Sequence, residues 1–345
     1  MAPKTGFTSA FVTVAFFVAG CAGAGGAAPI SGSGNLGTPR ITPEQEATAG
    51  SDTGSSGPIQ APTSAVWGSS APQYAMGGSP SFLSGTPPLT GSFPVLATGL
   101  QFTTAGVSPV SIGSGAMATV TGLGTDVDGC VPPGTPAANI QLVIPGANVN
   151  DSFQLPLSAS AFGFHAPSYV HLGLWGFSNT PTQAASGNPL IEYLFGYETP
   201  PSAIPATGQA SFVGGVSGWV FAPINGRVTE AYFGGGVANF SVDFASGNLT
   251  GALTGIKHSQ ALGPVLGAPW NDVSISASIA AGSNRFSGST AVTSVPVSES
   301  PYILSGSATG HINGALFGPA AQEIGALWTL SDGTAAAIGT VYAGR

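Results

Sequence analysis

The chain has 345 residues of which only 6% are charged, with 6 Lys and Arg against 14 Asp and Glu and a formal net charge of −8. Six scattered cations make no basic stripe, which excludes neutralising a phosphate backbone as the main activity; 53 glycines and 29 prolines set the chain apart from an ordinary cytosolic domain. With so little Lys and Glu, the wet side of any regular element has to be written in Ser, Thr, Asn and Gln, which suits strands and turns better than helices. The length is enough for a sizeable core, and the expected class is all-β.

In chain order, Lys4 precedes the apolar run "GFTSAFVTVAFFVAG", Gly6 to Gly20. This is shorter than the roughly 20 residues of a membrane-spanning helix and reads as an export signal over residues 1–20. The run ends in Val18-Ala19-Gly20-Cys21, which resembles the lipobox of bacterial lipoproteins. That resemblance implies acylation of Cys21, palmitate included, and a membrane partner reached through lipid alone. Ala22, rather than Asp, follows the Cys and implies the outer membrane over the inner. With Cys21 acylated, Cys130 has no disulfide partner in the chain and is expected as a small buried or turn residue. The other reading of this segment is an ordinary signal peptide that contains a Cys.

Residues 21–90 carry Gly, Pro and Ser with no sustained period and read as a flexible tether. "GSGNLG", Gly32 to Gly37, fits a dinucleotide-binding pattern only by composition, since no strand precedes it and no helix follows. Over residues 91–205 short apolar runs such as "FPVLATGLQF", "NIQLVIPG", "YVHLGLWGF" and "IEYLFGYET" are punctuated by Gly, Pro and Asn, which predicts a unit of short strands. Over residues 206–345 alternation becomes regular. Eight strands are predicted near Gly208–Phe221, Gly236–Phe244, Asn248–Ile256, Asp272–Ala280, Arg285–Thr293, Ser305–Leu316, Ile324–Leu330 and Ala335–Tyr342, a closed antiparallel up-and-down barrel. Ala238, Phe240, Val242 and Phe244 are assigned to the core, and Val237, Asn239, Ser241 and Asp243 to water, with Ala245 to Asn248 as the turn. The same alternation also fits an integral outer-membrane barrel, but many of these strands are shorter than the 9–11 residues a spanning strand needs, and aromatic girdles are not evident.

Catalytic and metal-binding signatures are absent. No G-x-S-x-G, H-E-x-x-H, C-x-x-C or P-loop is present. His165, His171, His258 and His311 are far apart in sequence and read as hydrogen-bonded wall or surface histidines. Asp126 to Gly129 starts like a calcium loop but lacks the later acidic ligands. No cofactor is expected; haem is the one kept open, without support from the histidine spacing. A binder rather than an enzyme is expected, and its candidates are charged and aromatic residues assigned to loops: Arg227, Tyr232 and Phe233, then Lys257 and Trp270, then Tyr302. Each of these also fits a plug closing a barrel end. Glu323, the lone charge in "LFGPAAQEIGALW", is expected to cap or pair locally and so position the last hairpin.

Three segments also carry a family resemblance. Gly173-Leu174-Trp175, the run from Gly196 to Gly214 and the turn from Phe317 to Gly325 resemble, in that order, motifs of the handle-plus-barrel lobe of transferrin-binding protein B and its relatives. The resemblance covers about half the chain and implies a surface lipoprotein of a Gram-negative bacterium that captures a host or environmental protein, haem or another iron-related solute. An outer-membrane transporter is implied as a partner. The length after the tether allows one lobe rather than two, so transferrin itself is not carried over as ligand. A surface structural protein without a specific ligand is the alternative reading.

Overall fold

The computed structural model describes residues 66–67, 90–103, 106–109, 115–125, 136–145, 149–156, 169–175, 189–224, 227–259 and 266–345. The signal segment, Cys21, most of the tether, the Asp126 turn, Cys130 and His165 lie outside the described residues.

The first strands are β1 (Val66–Trp67), β2 (Thr90–Pro94), β3 (Leu96–Thr103), β4 (Gly106–Pro109), β5 (Met117–Thr125), β6 (Pro136–Ile144), β7 (Val149–Pro156), β8 (Val170–Trp175) and β9 (Pro189–Gly196). They form two sheets, β1-β3-β9-β8 with β4 paired to β3, and β2-β5-β6-β7. We call them together the handle. Along β9 the faces alternate: Tyr193 and Phe195 stack, and Phe195 meets Phe93 of the second sheet, while Leu194 turns the other way, toward the barrel.

A short 3-10 turn at Pro201–Ala203 leads into β10 (Gln209–Ile224), β11 (Arg227–Asp243), β12 (Asn248–Thr254), β13 (Lys257–Ser259), β14 (Leu266–Pro269), β15 (Asp272–Ile279), β16 (Arg285–Ser294), β17 (Thr309–Phe317), β18 (Glu323–Ser331) and β19 (Ala336–Gly344). Eight of these, β10, β11, β12, β15, β16, β17, β18 and β19, pair each with the next and close by pairing of β19 with β10. The barrel predicted from the sequence is therefore the observed one, with β13–β14 as an inserted hairpin on the first half of β11.

Closure demands a small residue where β10 meets β19. A Cβ placed on Gly214 would stand 1.8 Å from the Tyr342 carbonyl oxygen and 2.5 Å from the Ala343 Cα. At the tight turn after β11, Oδ1 of Asp243 accepts the amides of Ala245 at 2.9 Å and Ser246 at 3.3 Å, and Gly247 takes a left-handed φ of 72°.

One correction concerns strand length. The second barrel strand begins at Arg227 rather than Gly236, so Arg227, Tyr232 and Phe233 are strand residues and not loop residues. Gly236 serves close packing there: a Cβ on it would come within 2.6 Å of Cγ1 of Ile256.

The barrel interior is filled by apolar side chains, among them Phe212, Phe233, Phe240, Leu249, Val273, Ile312 and Trp328. An eight-stranded barrel is just narrow enough for side chains to fill it. On the outside, the walls differ. From β10 through β17 the register lines up Ser211, Ser241, Thr250, Ser276, Ser289 and His311, all exposed, in one row across six strands. A barrel with apolar inside and hydroxyls outside is the reverse of the apolar outer band of a membrane-spanning barrel. No helix among the described residues is long and apolar enough to cross a membrane. The opposite wall carries Trp219, Phe221, Tyr342 and Phe317, and the handle lies against it through Leu96, Leu100, Val170 and Leu194.

Candidate functional site

Up-and-down connectivity sorts the connections to two ends. One end holds the tight turns at 244–247, 280–284 and 318–322; the other holds the β13–β14 hairpin, the long connection from Val295 to Ala308 and the turn at 332–335.

The tight-turn end is tied to the handle. The linker residues Tyr197, Glu198 and Thr199 thread between β8 and β17: the Tyr197 amide donates to the Tyr169 carbonyl at 2.9 Å and the Thr199 amide to the Leu316 carbonyl at 2.8 Å. Glu198, 2% exposed, receives both arms of Arg285 at 2.8 and 2.9 Å, and the Asn284 amide at 2.8 Å. A fork-to-fork pair of this kind fixes geometry as well as charge. Glu323 corrects its expected local role. Its Oε2 accepts the backbone amides of Tyr169 at 2.9 Å and Val170 at 3.2 Å, more than 150 residues earlier in the chain.

At the loop end, three of the predicted ligand residues meet inside the barrel rather than on loops. Phe233 is fully enclosed and stacks on Trp270 with ring centroids 4.4 Å apart, and both lean on Trp328 at 5.4 and 6.2 Å. The Trp270 Nε1–H donates to the Tyr302 carbonyl at 2.8 Å, and the Tyr302 ring meets that of His258 at 6.0 Å. At 0%, 3% and 9% exposure, Phe233, Trp270 and Tyr302 close the barrel and do not offer their rings to a ligand. Tyr232 points outward on β11, into the seam with the handle beside Trp219. Lys257 on β13 is exposed, and Arg227 opens β11 at this same end.

What the plug does reach is the long connection above it. Asn271 donates from its side-chain amide to the carbonyl of Leu304 at 2.9 Å and accepts the Leu304 amide at 2.9 Å. The Ser305 amide donates to Asp332 at 2.9 Å, which joins two connections of this end. Held in this way, the connection raises Val295 and Val297 out of the surface, the latter 108% exposed. Apolar residues lifted into water by a rigid support are the feature the sequence reasoning missed. The only signal for them was the apolar-proline-apolar string "SVPVSES". Val295 and Val297 form the candidate surface, with Glu299 exposed in the same connection and Lys257 exposed in the β13–β14 hairpin of this end. Among the described residues no three His, Cys, Asp or Glu side chains stand close enough to hold a metal ion.

Residues 204–345 match the family described as the C-lobe and N-lobe β barrels of Tf-binding protein B. Transferrin-binding protein B of Haemophilus influenzae is 27% identical over 175 residues, which is 47% of this chain and 25% of that protein. The chain therefore spans about a quarter of the length of this curated relative. Among solved structures, a point mutant of transferrin-binding protein B from Haemophilus parasuis aligns at 17% identity and a TM-score of 0.40, over 72% of this chain and 44% of that one. A structure described as a surface lipoprotein aligns at 17% identity and a TM-score of 0.33, over 60% of this chain and 92% of that one.

Proposed function

Because this chain is transferrin-binding protein B-like, with a barrel of that type over residues 204–345 and one handle beside it, we propose that it is a binding protein that captures a protein ligand at the loop end of the barrel, without catalysis. The observation that carries the reading is the exposed Val295 and Val297 on a connection braced by Asn271 and Asp332, with Glu299 exposed in the same connection and Lys257 exposed in the β13–β14 hairpin. Pre-ordering a contact surface lowers the entropy lost on binding. Phe233, Trp270 and Tyr302 serve that surface from beneath, and Arg227 opens β11 at the same end.

The finer reading adds an anchor and an address. Acylation of Cys21 holds the chain on the outer membrane of a Gram-negative bacterium, facing the cell surface, and residues 21–90 act as the tether. The relative with the matching barrel is named for transferrin; for this chain the ligand class is a host or environmental protein, with an outer-membrane transporter as partner and no cofactor.

Native mass spectrometry of the protein purified from its own cell envelope tests this. A co-purifying protein, lost on Val295→Ser with Val297→Ser, supports the reading. A stoichiometric small adduct replaces it with a solute or haem carrier, and a bare mass with a structural role. The mass also reads the acyl chains on Cys21 directly, and Cys21→Ser removes them.

A further inference from the structure

Away from the tight-turn end, where Glu323 receives the Tyr169 and Val170 amides, the seam between handle and barrel is apolar except in its middle. On the handle side Leu96, Thr98 and Leu100 of β3 share a face, and the register sets Thr98 opposite Glu192 of β9, which shares its face with Leu194. On the barrel side Trp219, Phe221, Val228, Tyr232 and Ile338 pack with Leu100. Glu230 lies opposite Phe221 in the register, on the same face of β11 as Val228 and Tyr232, and so belongs to this patch. Glu192 is 3% exposed and Glu230 9%, and Oε2 of Glu192 has no hydrogen-bond partner among the described residues.

Enclosing an ionised carboxylate without a matching charge is unfavourable enough that the group keeps its proton instead. Burial raises the Glu192 carboxyl well above its ordinary range and pushes that of Glu230 up to about 7. Burial also pushes the Tyr232 phenol up to about 12, against a hydrogen bond with Ser217, and the charge of Glu192 adds to the rise. By register Glu192 lies on the Leu194 face of β9, opposite Thr98 between Leu96 and Leu100, and Tyr232 packs against the Leu100 patch from the barrel side. Around them, β10 contributes Ser217, Trp219 and Phe221, and β19 contributes Ile338 and Thr340, with Tyr342 further along. β3 and β4 hold no ionisable residue, and β18 holds Glu323, already bonded to the Tyr169 and Val170 amides. His171 takes the alternate register position of β8, and Arg227 opens β11 three residues before Glu230.

We propose that this seam is a pH-dependent latch: the handle lies closed on the barrel while Glu192 and Glu230 carry their protons, and it loosens as alkaline conditions remove them. The direction follows from proton binding. An enclosed carboxyl that holds its proton more tightly than the solvated one favours closure at low pH. For Glu230 that contribution is complete below its ordinary value of 4.5 and is lost as the pH rises through about 7.

Hydrogen exchange of the full chain at pH 6.0 and pH 8.5, corrected for the intrinsic rate, reads the latch directly. Protection of peptides from β3 and β9 is expected to fall about tenfold from Glu230 alone, while the β18–β19 hairpin keeps its protection. Glu192→Gln with Glu230→Gln is expected to make the seam peptides insensitive to pH, and Glu230→Gln alone serves if the double variant does not fold. Seam protection that is equal at both pH values in the unmodified chain overturns the proposal, as does a fall of the same size in the Gln variants.

Discussion

The two ends of the barrel are built by different means. At the tight-turn end order comes from charge and backbone: Glu198 grips Arg285 and Asn284, Glu323 receives two handle amides, and the linker threads between strands. At the loop end it comes from stacked rings, Phe233 on Trp270 with Trp328 beside them, and from one asparagine that holds a long connection at both its amide and its carbonyl. An end bonded through directional, buried polar groups has one arrangement and no room for variation. An end supported from below by rings leaves the residues above it open to change. The difference explains how one scaffold ties its handle at one end while the connections at the opposite end rest on the rings beneath them.

The comparison breaks most sharply at the tied end. Arg285→Ala leaves the Glu198 carboxylate enclosed with only Asn284, and is expected to cost about 3 kcal/mol or more in denaturant unfolding. Gly214→Ala forces a methyl group against the Tyr342 carbonyl, and a drop of about 2 kcal/mol, seen as a lower melting temperature, is expected. At the loop end the changes are gentler. Trp270→Phe keeps the ring stack and loses the bond to the Tyr302 carbonyl, for about 1 kcal/mol, with faster exchange of amides in the 295–308 connection. Val295→Ser with Val297→Ser should stay within about 0.5 kcal/mol of the parent in stability while capture of the ligand weakens. If that pair destabilises the fold by as much as Arg285→Ala, the two ends are not distinct in the way described.

Much of this fold was legible in the sequence, and the reasons are local. Alternation in "VANFSVDF" and turn letters in "ASGN" give strand, face and turn together, because one side chain in two must be apolar to fill so narrow an interior. The first half of β11 was not legible as strand, since Gly234, Gly235 and Gly236 carry no side-chain pattern to show that the chain passes close to Ile256 there. Nor did the sequence reveal which aromatics close the barrel and which face water. Phe233 and Tyr232 are neighbours with opposite surroundings, and that choice depends on strand parity in a stretch read as loop. The partners of Glu198 and Glu323 were out of reach for another reason: each is bonded to residues 86 or more positions away, and isolated charges in a chain with only 6% charged residues have no periodicity to betray their mates.

The row of Ser211, Ser241, Thr250, Ser276, Ser289 and His311 has a consequence for how the molecule meets its surroundings. Five of its six members are hydroxyls that neither gain nor lose a proton in ordinary media, and short side chains have little freedom to forfeit. Salt has no ionic groups among them to screen, and a trypsin-like protease finds no lysine or arginine in them to cut beside. Those five positions keep the same coat of water in brine, acid or base.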